Sequence, residues 1–130
     1  MITKLIITVV IAWLIAQLAK GFLLALKMKR FRFRYFWING HMPSSHSSSV
    51  MALTTGIFLE QRTSALFVLS AVLSMIIMRD ACGVRLKVRE NMFKLNKNVK
   101  KDDDVVGHTF KEVVVGALLG ILITVLVYYF

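Results

Sequence analysis

The sequence predicts an all-α protein, an integral membrane bundle of four transmembrane helices in one domain over residues 1–130, with its chemically able side chains gathered at one membrane face. Three observations lead there. Hydrophobic residues make up 57% of the 130 and the mean hydropathy is +0.67, too apolar for an ordinary soluble domain. The apolar residues fall into long runs separated by short polar breaks. The 17 Lys and Arg, against 7 Asp and Glu, give a net charge of +10 and are bunched between those runs. Helices are expected over about residues 2–27, 45–60, 63–95 and 108–130, at 1.5 Å rise per residue against a hydrocarbon layer of roughly 30 Å.

The first run, residues 2–26, is long enough to cross a bilayer. It is too long for the apolar core of a secretory signal and no small-residue cleavage pattern follows it, so it is read as a retained helix. Lys20 lies inside it, where a charge must snorkel, pair or work. Residues 27–34 then alternate basic side chains with Met28, Phe31 and Phe33, ahead of Tyr35, Phe36 and Trp37, the mixture expected at a membrane interface. Next comes the one strongly polar break that also carries potential chemistry, Gly40-His41-Met42-Pro43-Ser44-Ser45-His46-Ser47-Ser48-Ser49. Pro43 biases the backbone away from helix just before it, so Ser44, Ser45 and His46 fall where the second helix starts. A helix start offers unpaired N–H groups and the positive end of the dipole, a place that suits an anion.

That second helix is short, and a tight turn at residues 60–63 joins it to a third run at 64–78. The third helix is expected to continue past the membrane through Asp80 and Arg85, with a loop beginning near Asn96. The last run, residues 109–130, spans easily and contains Gly116 and Gly120, a spacing that lets another helix approach closely. With four helices, the two long basic connections fall on one side, which the positive-inside rule places in the cytoplasm with both termini outside. Anionic lipid is the expected neighbour of this charge. A nucleic-acid partner is disfavoured, since apolar spans flank the basic stretches and no nucleic-acid motif accompanies them. The single cysteine, Cys82, rules out an internal disulfide.

This topology carries Lys20, His46, Asp80, Arg85, His108 and Glu112 to one face. His108 and Glu112 are four apart at the start of the last helix, so the carboxylate can hold one ring nitrogen and leave the other as nucleophile or base. A plainer role competes, because Thr109-Phe110-Lys111-Glu112 also fits a capping box, in which Glu112 serves the backbone. Likewise Asp80 and Arg85 fit a local ion pair. No close pair of histidines supports a metal site.

Taken together, Met42-Pro43-Ser44-Ser45-His46-Ser47, Asp80-Ala81-Cys82-Gly83-Val84-Arg85, Leu95-Asn96 and Gly107-His108-Thr109-Phe110-Lys111-Glu112-Val113 with Gly116 resemble a divergent small-membrane-protein branch of the type 2 phosphatidic acid phosphatase superfamily, related to acid phosphatases and vanadium-dependent haloperoxidases. Gln17 and Lys20 fall where that branch has a glutamine and a lysine, so the resemblance covers nearly the whole chain. It implies that His108 attacks phosphorus, that Glu112 orients it, and that His46 protonates the leaving group. It further implies phosphate binding by Lys20, Ser44, Ser45 and Arg85, with Asp80, Lys27 and Arg30 in support and no cofactor or metal. The chain departs from the pattern in several places: His41 replaces a glycine, Lys27 stands at an arginine position for which Arg30 competes, Asp102 stands where the wider superfamily has arginine, and Leu86, Arg89 and Asn91 stand where the branch more often has arginine, glycine and glutamine.

The function so implied is metal-independent hydrolysis of a membrane phosphomonoester or pyrophosphate through a phosphohistidine, the substrate being a lipid phosphate. The inner, plasma membrane is the expected location, with the site and basic loops cytoplasmic. Since the superfamily commonly uses six membrane helices, partner subunits are expected to complete the bundle, a dimer first. The rival is a non-catalytic membrane protein that binds anionic lipid or a partner through its basic face. A vanadate-dependent haloperoxidase-like enzyme ranks below both, because a lipid-facing site suits it poorly.

Overall fold

A computed structural model describes residues 2–38, 40–95 and 107–130. The described chain is helical: α1 (Ile2–Met28), a short 3-10 turn (Phe33–Phe36), α2 (Ser45–Gln61), α3 (Ala65–Cys82), α4 (Val84–Leu95) and α5 (Phe110–Tyr129). Three stretches are long and apolar enough to cross a membrane: Ile2–Met28, Ala65–Leu95 and Phe110–Tyr129. The serine-rich α2, with 17 residues, is not among them. The loop expected from about Asn96, and Asp102 within it, lie outside the described residues.

One detail differs from the sequence expectation, and one choice that it left open is decided. The third helix, expected to be continuous over 63–95, is interrupted at Gly83, whose φ of −109° and ψ of −89° depart from helix. α3 ends there and α4 begins at the next residue. Lys20 does not snorkel: it is 1% exposed, with its ammonium turned into the protein.

Each helix start is explained locally. Ser44, Ser64 and Thr109 sit in extended conformation, and their hydroxyls accept from the N–H three residues on, satisfying one of the orphan donors of α2, α3 and α5. At α5 the capping box is complete.

α2 is the hub, packing against α1, α3 and α5, while α3 meets α5 only marginally. In a membrane the lipid tails are as apolar as the core, so helices associate through close packing and interhelical hydrogen bonds. The core reflects this. Ala12, Ala52 and Ile123 form its central cluster, a small one for three long helices. Gly116 and Gly120 are spent inside the chain: a Cβ on either would overlap the carbonyl oxygen of Ser44 or Ser48 in α2. Hydroxyls then tie the helices to one another. Ser48 donates to the Ala12 carbonyl (3.2 Å), Thr124 to the Ala52 carbonyl (3.3 Å), and Thr54 and Ser74 share a hydrogen bond of 2.8 Å. The large apolar side chains of α1, α3 and α5, such as Ile7, Phe22, Leu69, Ile76 and Leu122, point outward, as lipid contact requires.

Candidate functional site

At one end of the bundle the last turns of α1 and α3 meet the first turns of α2 and α5, and the meeting is made largely by main chain. The Ser44 N–H donates to the Glu112 carbonyl (3.2 Å) and the His108 N–H to the Ala81 carbonyl (2.9 Å). Gly40 and Gly107, each just ahead of one of these helices, pair as an isolated parallel β-bridge. Gly107 has φ of +92°, and a Cβ there would strike the main chain of Arg85 and Leu86. Only glycine fits that position, on conformation and on space.

Lys20 extends from α1 towards α2, donating to the Ile38 carbonyl (3.2 Å) and, more weakly, to Ser45 Oγ (3.5 Å). A fixed ammonium is thus held beside the start of α2. Ser44 and Ser45 are buried there, and Ser44 Oγ accepts from the Ser47 N–H (3.4 Å) and is bonded to Ser47 Oγ (3.0 Å). The N–H groups of Ser45 and His46, in the first turn, have no intrahelical acceptor. A cavity of about 300 Å³ opens on this lysine, lined also by Lys27, His41, Met42 and Glu112. Of the two competing basic residues after Lys20, it is therefore Lys27 that shares a cavity with it, while Arg30 is exposed beyond the end of α1.

His108 is 2% exposed, and its Nδ1 lies 3.4 Å from Glu112 Oε2. That contact is an electrostatic one, since it fails hydrogen-bond geometry, and neither ring nitrogen has a hydrogen-bond partner among the described residues. A buried imidazole left so is uncommon, because polar groups out of water are nearly always paired. The same Glu112 carboxylate accepts from the Thr109 N–H (3.0 Å) while the Glu112 N–H donates to Thr109 Oγ1 (3.4 Å). The two roles that competed in the sequence coexist: Glu112 caps α5 and faces His108 with one oxygen.

The residues that build this geometry lie within the part of the chain that a family model matches. The model, described as the Divergent PAP2 family, covers residues 1–123. The chain belongs to this family. A relative from Bacillus subtilis (strain 168), known as the uncharacterized membrane protein YuiD, is 39% identical over 114 residues, with 70% of this chain and 72% of the relative covered. No solved structure matches the chain.

Within this divergent family the remaining motif residues are placed as follows. His46 is partly buried in the first turn of α2, within electrostatic reach of Arg85, His108, Lys20 and Asp80. Arg85 Nε donates to Asp80 Oδ2 at 2.7 Å, an ion pair across Gly83 with both side chains about two-fifths exposed. The local pair considered from sequence is therefore present, and what Arg85 gives the interior is its backbone, against Gly107. His41 has φ of 68°, a left-handed conformation that histidine adopts more readily than most residues.

Sequence reasoning missed the groups that have no side-chain signature: the Ile38 and Ala81 carbonyls and the Gly40–Gly107 bridge. It also gave no role to Gln17, which is 9% exposed with its Oε1 buried and lacking a hydrogen-bond partner among the described residues. Gln17 stands one helical turn before Lys20 on α1, a spacing that puts the two on the same face.

Proposed function

We propose that this chain is a single-domain lipid-phosphate phosphatase working without a metal through a phosphohistidine on His108. The observation that carries the reading is the buried His108 ring, with Nδ1 facing the Glu112 carboxylate and Nε2 without a hydrogen-bond partner among the described residues. In this reading Nε2 attacks phosphorus, the bond from phosphorus to the leaving oxygen breaks, and His46 gives that oxygen its proton. Water then attacks the phosphohistidine and gives up a proton to His46, and the N–P bond breaks to free phosphate and restore His108. Glu112 is a positioning residue that stabilises the ring as it becomes positive. Lys20, Lys27, the Ser44 and Ser45 region and the first-turn N–H groups of α2 offset the charge of the phosphoryl oxygens. Asp80 keeps the Arg85 guanidinium at the rim, from which it contributes to binding.

A lipid substrate is supported by the surroundings. A groove of about 1070 Å³ runs between α3 and α5, lined by apolar side chains such as Met75, Ile76, Ala117 and Leu118, and reaches Asp80 and Lys87 at its polar end. Phosphatidic acid, phosphatidylglycerol phosphate and isoprenoid phosphates or pyrophosphates all have this form. α2 is the fourth crossing in this reading. Its 17 residues span about 26 Å, so the bilayer thins slightly around it. The basic face is cytoplasmic at the plasma membrane, and a second copy supplies the helices that larger relatives carry in one chain.

The test is phosphate release by detergent-purified protein from a panel of lipid phosphates, with EDTA present. Release from at least one lipid is expected; no release from any, with lipid still bound, would sink the reading in favour of an anionic-lipid-binding protein. Glu112→Gln separates the two roles of that side chain. Glutamine still completes a capping box, so stability should change by less than about 0.5 kcal/mol. Its neutral amide cannot stabilise a positive ring, so kcat should fall by roughly 10²-fold to 10⁴-fold. Equal kcat in both proteins would show that Glu112 only caps.

A further inference from the structure

α4 has no buried residue, although it contains Val84, Val88, Met92 and Leu95, which are 65%, 46%, 40% and 88% exposed. Their spacing of four, four and three residues puts them on one face. Lys87 and Lys94 border that stripe on one side, Arg85 and Arg89 on the other. Such a stripe between two basic borders is the pattern of a helix lying in a membrane surface.

Length places α4 at that surface. α3 alone has 18 residues, about 27 Å of helix, which accounts for most of the hydrocarbon layer of roughly 30 Å. The following 12 residues of α4 therefore start at headgroup depth, after the break at Gly83. Standing upright they would hold four apolar side chains in water; lying down they bury them.

We propose that α4 is a surface-docking helix that lies on an anionic bilayer, with its Val84, Val88, Met92 and Leu95 stripe among the acyl boundary and Lys87, Arg89 and Lys94 on lipid phosphates. Docking also has a mechanical outcome. Gly107 is pressed against the Arg85–Leu86 main chain in the first turn of α4, so fixing α4 fixes the residue that precedes His108.

The proposal is independent of catalysis and is tested on the full chain in vesicles. In a Cys82→Ser background, Val88→Cys and Glu90→Cys are labelled with a membrane-impermeant maleimide, in phosphatidylcholine and in phosphatidylcholine mixed with phosphatidylglycerol. Each basic residue near an anionic surface favours docking about fivefold, so Val88→Cys should label at least about tenfold more slowly on the anionic vesicles. Glu90→Cys, on the opposite face, should label equally on both. Adding Lys87→Gln, Arg89→Gln and Lys94→Gln should restore fast labelling of Val88→Cys. Equal rates at the two positions on anionic vesicles would overturn the proposal, because α4 would then stand in water. Slow labelling of Val88→Cys that persists on neutral vesicles would overturn it too, assigning the cover to protein.

Discussion

His108→Ala should lower phosphate release from the best lipid substrate by at least about 10³-fold, because in the proposed reaction it removes the atom that takes up the phosphoryl group. Losing a substrate contact would look different, raising KM more than it lowers kcat. Two controls guard the result. Since the alanine leaves a void where a buried ring stood, His108→Asn keeps most of the volume and should be equally inactive while unfolding close to wild type. The intermediate is also chemically distinctive, as a phosphorus–nitrogen bond survives alkali and is lost in acid. Wild-type protein quenched in base during turnover should carry phosphate that either variant lacks. Residual release above a tenth of wild type would remove His108 from the role of nucleophile.

Gly116→Ala should destabilise the fold by about 3 kcal/mol, the upper part of the range for overpacking. The sign is informative. In a helix interior, alanine is favoured over glycine by roughly 1 kcal/mol, so an uncrowded Gly116 would give a more stable protein. Here the added methyl meets the Ser44 carbonyl, and α5 must draw back from α2. That withdrawal breaks the bond from the Ser44 N–H to the Glu112 carbonyl and drags the capped start of α5 with it. Leu122→Ala, on an exposed face of the same helix, should change stability by no more than about 0.5 kcal/mol. Unfolding of detergent-solubilised protein by increasing dodecyl sulfate measures both. A stabilised Gly116→Ala would mean that the helices do not approach as closely as described.

Much of the architecture was legible because each element carries its own local signal. Ser44 and Thr109 announced helix starts through the chemistry of their hydroxyls, and of the four spans expected from the apolar runs, three are long and apolar enough in the described residues, the serine-rich α2 being the one that is not. The interruption at Gly83 was hidden, since a glycine within a helical pattern is equally compatible with continuation. Convergence of Lys20, His46, His108 and Glu112 followed from topology. What topology does not carry is contact: whether Lys20 reached outwards or inwards depended on an acceptor, the Ile38 carbonyl, that any residue at that position would provide. Arg85 illustrates the reverse. Its charge drew attention, yet its side chain goes to Asp80 and its main chain is what Gly107 rests on.

The pairing of Gly40 with Gly107 bears on how far such a chain can drift. His46 follows one of these glycines by six residues and His108 follows the other by one. The reach between the two rings is thereby set by chain length from a shared origin, much as two arms are set by a common shoulder. An exchange of the His41 side chain leaves the reach unaltered. A residue inserted or deleted between Gly40 and His46, or between Gly107 and His108, alters it at once. Natural variation should therefore be nearly absent in spacing across these two short segments, the reverse of what surface loops usually tolerate.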